Sequence, residues 1–443
     1  MTREVEYRIL SDVLPQMLDN RYGIISMVRE IPREPGSPDF FHFAAQTCSV
    51  QAFTQQKNFR ISGGVATERG SALAKAVGEA IERYCSAVYD LEDFPLIAAA
   101  DADFPFVAPG TFALYADWQY NSPNFEYKPF TSHSRVRWTP SCDVATGRTA
   151  YIPACAVYLP YTYYVGSGDT PILQPISTGL ACHTSFERAA VSAICEVVER
   201  DAFTLFWQLG ISPPQIIPES LSETNYDIVL RFERFGGQRV YLFDITTDIG
   251  IPAVLSVLRN PISGAPPLTF SAAAHPDPEV AVRKSLEELE HTRRYMSQIA
   301  TRYPRLPAIE GHVNVVDQLS HLNYWCDHKH AHEADFVFSS GLRKEFDELP
   351  CFLAETPQAN LVALAGKIAA SGYRTFLVDV TSDDVRPLEL RVVRAVIPGL
   401  HPLAMGHRWR VCGGRRLTEV PDAMGLRPRF SAAKDNPSPH PFP

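Results

Sequence analysis

Two segments of the chain carry the same E-x-x-E-R spacing. Glu79, Glu82 and Arg83 lie in KAVGEAIER (75–83), and Glu196, Glu199 and Arg200 lie in SAICEVVER (192–200). On a helix, positions i, i+3 and i+4 share one face, so each trio projects together. The intervening residues are apolar or small (Ala76, Val77, Ala80, Ile81; Ala193, Ile194, Val197, Val198), which predicts mostly buried helices with the acids on the remaining stripe. Buried carboxylates are costly unless cations or metals accompany them. Two such faces brought together would gather four carboxylates and two guanidiniums. Hard oxygen ligands of that sort suit Mg2+, and arginines suit phosphate. A third helical stretch adds Lys284 and Glu288 at i,i+4, with Arg293 close behind. Together these residues would bind a magnesium nucleotide without a Walker loop. The competing reading of one E-x-x-E-R is a solvated salt-bridge face, and Lys284 with Glu288 reads more simply as a surface pair. Periodicity does not separate the two readings.

The elements that must position these residues follow from pattern. Helical periodicity runs over 68–89, 185–209 and 278–299, rich in Ala, Leu and Glu and free of Gly–Pro breaks. A second echo, GGQRVYLFDITTDIG (236–250) and SGYRTFLVDVTSDDV (371–385), reads twice as strand, acidic turn, strand. Two unlike repeated units suggest a duplication inside one α/β body, since a solenoid needs at least three copies. The predicted fold class is mixed α/β, with duplicated strand and helix units around a nucleotide pocket. Residues 1–60 read as a short α/β lead-in, 61–443 as one catalytic domain, and 436–443 as a proline-rich tail.

Composition narrows the function. With 443 residues, 45% hydrophobic and 21% charged, the chain has material for a real core. The excess of 50 acidic over 41 basic residues argues against coating nucleic acid. No apolar run is long enough to span a bilayer, and the N-terminus lacks the apolar stretch of a signal peptide, so a cytoplasmic enzyme off the membrane is expected. The nine cysteines are scattered with no C-x-x-C pair, which reads as reduced thiols rather than structural zinc. No G-x-S-x-G nucleophile elbow occurs. Asp244 and Asp379 follow strand-like runs and read as turn caps more readily than as metal ligands. Gly63–Gly64 offers either a close backbone approach for phosphate or an ordinary turn. The end, NPSPHPFP, alternates Pro437, Pro439, Pro441 and Pro443, an extended rod with little entropy left to lose. It reads either as a disordered tail or proline ligand, or as a stiff arm carrying the carboxylate of Pro443 into a pocket as a proton acceptor.

Taken together, these residues resemble the YcaO family. The likeness runs from about Ser62 to Pro443 through SGGVATERGSALAKAVGEAIERY, STGLACHTSFERAAVSAICEVVERDAF, AAAHPDPEVAVRKSLEELEHTRRY, the VDVTSDDV and VIPGL stretches and the proline tail. The resemblance implies an ATP-dependent enzyme that activates a backbone amide oxygen. The tail is similar to that of members forming azoline rings in ribosomally made peptides. In that chemistry a Cys, Ser or Thr side chain attacks the preceding carbonyl carbon, ATP phosphorylates the oxyanion, and phosphate leaves as the C=N bond forms. The resemblance places Glu79, Glu82, Glu196 and Glu199 at magnesium and nucleotide, and Arg83, Arg200, Lys284 and Glu288 in the phosphate and ligand network. Pro443 would supply the proton-accepting carboxylate. Family relatives that make thioamides or amidines use the same phosphorylation with another nucleophile. A non-catalytic scaffold using the tail as a proline ligand is the rival from another class.

Four positions depart from the family pattern. Lys75 stands where Ser is usual, Val65 where a lysine is common, Arg188 where Glu is usual, and His291 where Gln is common. Lys75 is expected to replace the missing lysine at the nucleotide. Azoline-forming members also commonly need an E1-like partner that captures the leader peptide. The roughly 60 residues ahead of the likeness are too few for that domain. A separate leader-binding protein and a precursor peptide are therefore the expected partners. A flavin dehydrogenase would be an optional member of the same complex, and an oligomer is expected.

Overall fold

The computed structural model describes residue 10 and residues 12–164, 166–234 and 236–442. Pro443, the expected proton acceptor, lies outside the described residues. The chain is of the expected mixed α/β class and divides into two compact units. The first comprises Met1–Pro32, Phe41–Val197 and Ala354–Leu400, and the second Arg33–Phe40, Val198–Leu353 and His401–Pro443. Among the described residues no helix is long and apolar enough to cross a membrane.

The first unit holds two antiparallel sheets. One has the order β1 (Ile25–Ile31), β2 (Phe41–Thr47), β3 (Ile61–Ala66). The other runs β4 (Leu96–Ala98), β5 (Arg135–Asp143), β13 (Phe376–Asp379), β14 (Arg391–Val396), β7 (Leu180–His183), with β6 (Thr149–Pro153) also paired to β5. Helix α1 (Arg69–Cys85) shares one core with residues of both sheets. Ala72, Ala76, Val77, Ala80 and Ile81 form its buried stripe, against Phe43 and Ala45 of β2 and Leu180, Phe376 and Val392 of the larger sheet. Gly63 and Gly64 lie within β3 rather than in a turn, and Gly64 serves packing. A Cβ on Gly64 would lie 2.2 Å from the Ala72 carbonyl oxygen and 2.4 Å from the Ala76 nitrogen, so only glycine lets β3 approach the helix.

The second unit is built on one five-stranded sheet. Its order is β11 (Leu268–Ala274), β10 (Ala253–Arg259), β9 (Arg239–Asp244), β8 (Gln215–Ile216), β12 (Arg343–Lys344). Helix α2 (Phe186–Leu209) is continuous, with residues 186–197 in the first unit and 198–209 in the second. Helix α3 (Pro278–Arg302) has Pro278 in its first turn, and the Asp277 carboxylate accepts the Glu279 N–H as its cap.

The 236–250 and 371–385 echo becomes two hairpins, β9–β10 and β13–β14, one in each unit. Asp244 accepts the Thr246 N–H (2.9 Å) and Asp379 the Thr381 N–H (3.0 Å), as turn-capping aspartates do. Each also holds a cation, Lys344 at 2.6 Å and Arg386 at 2.9 Å. The second strand of each hairpin starts later than the sequence echo suggests, because these turns are long.

Candidate active site

In the first unit, three acids of the repeated motif each accept a backbone N–H, two from strands β3 and β7 and one from the turn just before β7. The Gly63 N–H donates to Glu79 Oε2 (3.2 Å), the Cys182 N–H to Glu82 Oε1 (2.7 Å), and the Gly179 N–H to Glu196 Oε2 (3.0 Å). Arg83 Nη2 donates to Glu79 Oε1 at 3.2 Å. Glu79 and Glu196 hold equivalent places in the two motifs and make equivalent bonds, to a glycine 16 and 17 residues upstream. The sequence echo is thus also a structural one. Gly179 has φ +85°, and a Cβ there would lie 2.5 Å from the Ala395 carbonyl oxygen.

These bonds gather charge around Glu82. Burial raises its carboxyl well above the usual 4.5; Arg83 opposes the rise and Glu79 adds to it, while the Cys182 N–H lowers it and Glu196 raises it again. Glu82 therefore pays the desolvation and like-charge cost that the sequence pattern anticipates. A residue the sequence reading missed completes the cluster. Arg394, in the middle of β14 and 5% exposed, donates from Nε to the Ala156 carbonyl (3.1 Å) and from Nη2 to the Ile176 carbonyl (2.9 Å). Its Nη1 is buried and has no hydrogen-bond partner among the described residues. Burial lowers its pKa to about 10, against the pull of Glu196 and with the push of Arg83.

Among the described residues, no three His, Cys, Asp or Glu side chains are gathered so as to hold a metal ion. The donor set nonetheless fits a divalent cation with phosphates. A carboxyl disfavoured as an anion by burial, and further by two neighbouring carboxylates, gains from an added cation, and a buried guanidinium nitrogen without an acceptor gains from a phosphate oxygen. Lys75, half-buried on α1, precedes Glu79 by four residues. If it binds phosphate, Lys75→Ala should raise the KM for ATP about ten-fold with kcat preserved. An unchanged KM removes Lys75 from the site.

The second unit holds the remaining candidates. Glu199 Oε1 and Arg200 Nε are 3.2 Å apart, both largely buried. The Arg200 guanidinium lies 4.5 Å over the ring of Phe442 in the tail. Lys284, half-buried on α3, adds to the burial that lowers His275 to about 3. Glu288 is 3.5 Å from His291 Nδ1, and among the described residues Lys284 makes no ion pair, so the i,i+4 pairing read from the sequence is not formed. Arg293 is held by both oxygens of the buried Glu290 (2.6 and 2.7 Å). Sequence reasoning also missed Asp201, next to Arg200 and fully buried. It takes a two-point contact from the equally buried Arg416 (2.7 Å each) and the His401 N–H (2.7 Å).

Carboxylates and guanidiniums gathered on paired strand–helix units of a mixed α/β fold suit an enzyme that works with a divalent cation and a phosphate donor. Residues 63–401 match the family model described as YcaO cyclodehydratase, ATP- and Mg2+-binding, and the chain belongs to the YcaO family. It is an ATP-dependent enzyme with ATP and Mg2+ as its cofactors. It is 28% identical over 361 residues to an uncharacterised protein of Methanothermobacter thermautotrophicus, covering 79% of this chain and 85% of that one. A solved heterocyclase in complex with substrate and cofactor matches with a TM-score of 0.77 at 20% identity, over 99% of this chain and 57% of that one. YcaO from Methanopyrus kandleri, bound with AMPPCP and Mg2+, matches with a TM-score of 0.66 at 18% identity, over 93% and 94% of the two chains. At these identities the solved structures establish a shared fold. The chain spans little more than half the length of the heterocyclase.

Proposed function

We propose that this chain is an ATP-dependent cyclodehydratase that forms thiazoline or oxazoline rings from Cys, Ser or Thr in a ribosomally made precursor peptide. The observation that carries this reading is the fate of the tail. Pro439, Pro441 and Phe442 are buried in the second unit, which supports an arm delivered to a site over an exposed ligand for a proline-binding module. Bound ATP with Mg2+ supplies the phosphoryl group that turns the amide oxygen into a leaving group. Glu79, Glu82, Glu196 and Glu199 would hold the magnesium and nucleotide. Arg83, Arg200, Lys75, Lys284 and Glu288 would hold and orient the phosphates, and Arg394 joins them through its unpartnered Nη1. The carboxylate of Pro443 accepts the proton lost as the ring closes.

A leader-binding protein with an E1-like fold is proposed as a separate partner. A flavin dehydrogenase is an optional third member, in an oligomeric complex. The test is mass spectrometry of a precursor peptide encoded beside this chain, incubated with the chain, the leader-binding protein, Mg2+ and ATP. Each ring should subtract about 18 Da, whereas a thioamide would add about 16 Da and sink the azoline reading.

A further inference from the structure

Alternating prolines leave the tail without N–H groups at 437, 439 and 441, so whatever grips it must do so chiefly through its carbonyls. The second unit supplies donors in register. Trp207 Nε1, on α2, donates to the Ser438 carbonyl (3.2 Å). Helix α4 (Gln318–Trp325) supplies the next two: Trp325 Nε1 donates to the Pro439 carbonyl (2.9 Å) and His321 Nδ1 to the His440 carbonyl (2.9 Å). Three consecutive carbonyls thus meet three ring N–H groups from side chains that are almost fully buried. Rings of this kind bury an apolar body while presenting one fixed donor, so they hold a position without adding freedom.

The tail's own groups agree with this arrangement. His440 stacks on His321 with ring centroids 3.8 Å apart. Its Nε2 donates to the Ala404 carbonyl (2.7 Å) and its Nδ1 accepts the Phe442 N–H (3.3 Å), which requires a neutral ring. Upstream, the Asn436 N–H donates to the Gln208 carbonyl (2.8 Å) and its Nδ2 to the Trp207 carbonyl (3.1 Å), both in the last turn of α2. Downstream, Phe442 lands 4.3 Å from the ring of Phe203 and under Arg200.

We propose that Trp207, Trp325 and His321 are positioning residues that set the register of the tail, and with it the seat of Phe442 on Arg200. The proposal rests on the reading above that the tail takes part in turnover. Register matters because a displacement of about 1 Å at a reacting group can cost about 100-fold in rate.

The test uses the mass assay above, with kcat and the KM for ATP measured separately. Trp207→Phe combined with Trp325→Phe keeps an aromatic ring at each position and removes both donors. It should lower kcat by about 10- to 100-fold with the KM for ATP within about two-fold of wild type. One alanine inserted between Ala433 and Lys434, in an exposed turn upstream of the clamp, should be absorbed with kcat within about three-fold. One alanine inserted between Phe442 and Pro443, past the clamp, should cost as much as the double substitution. Should the double variant not fold, Trp325→Phe alone and the two insertions decide the matter. Equal losses from the two insertions, or wild-type kcat in a folded donor-less variant, would overturn the clamp. Deleting residues 437–443 separates the two claims: retained turnover overturns the reading of the tail, and lost turnover beside a fully active donor-less variant overturns only the clamp.

Discussion

Glu82→Gln should lower kcat/KM for ATP on the order of 100- to 1,000-fold while leaving the nucleotide-free chain at least as stable as wild type. The two halves of this expectation have one cause. Glu82 is buried beside Glu79 and Glu196, and its carboxyl is raised well above 4.5. A neutral amide of the same shape still accepts the Cys182 N–H and no longer repels its neighbours. It has, however, lost the charge proposed to hold the cation. The pH dependence has a definite sign. Between 4.5 and its raised value, the folded empty chain binds more protons at Glu82 than the unfolded chain, so this group's contribution to stability falls as pH rises. Adding Mg2+ with AMP-PNP should reverse this by favouring the carboxylate, releasing a proton and tightening binding as pH rises. Calorimetry in buffers of different ionisation heat counts that proton, and it should vanish in Glu82→Gln. Wild-type kcat/KM in the variant would remove Glu82 from the nucleotide site.

The proposed site and the fold were legible in the sequence to different degrees, for physical reasons. The helices were legible because burial recurs at their own period: Ala72, Ala76 and Ala80 mark the inner stripe of α1, and observed ends such as Arg69–Cys85 fall inside the expected 68–89. The E-x-x-E-R echo was legible for the same reason. What the acids bond was not, because Gly63, Gly179 and Cys182 meet them only once a strand is laid against a helix. Arg394 escaped because an arginine inside RVVRAV looks like a strand position facing water. The pairing of β14 with both β7 and β13 makes it a central strand, and the carbonyls of Ala156 and Ile176, distant in sequence, enclose the Arg394 guanidinium. The tail shows the limit most clearly. Its stiffness follows from composition, but the donors that grip it come from α2 and α4, more than a hundred residues earlier.

Asp201→Asn is expected to cost the second unit about 3 kcal/mol of stability, near the lower end of what breaking a buried ion pair costs. Asp201 and Arg416 are both fully buried, and the pair makes two hydrogen bonds of 2.7 Å. Asparagine preserves an acceptor for the His401 N–H but leaves the guanidinium without its main counter-charge. The loss stays near the lower end because Arg416 Nη2 keeps a second carboxylate, Asp248, at 2.8 Å. Urea unfolding followed through Trp207 and Trp325, which belong to the same unit, should show the midpoint fall. Adding Arg416→Met should recover part of the loss, since the cost lies in a stranded buried charge rather than in the pair's net worth. A double variant no more stable than Asp201→Asn alone would mean that packing around the pair, not its charge, holds this part of the unit. The consequence for function runs along α2. Glu199 and Arg200 sit directly before Asp201, so the ion pair fixes the turn that presents both to the nucleotide in the proposed mechanism. At a temperature where Asp201→Asn stays folded, kcat should therefore fall further than the KM for ATP rises, because loss of orientation is felt most in the transition state.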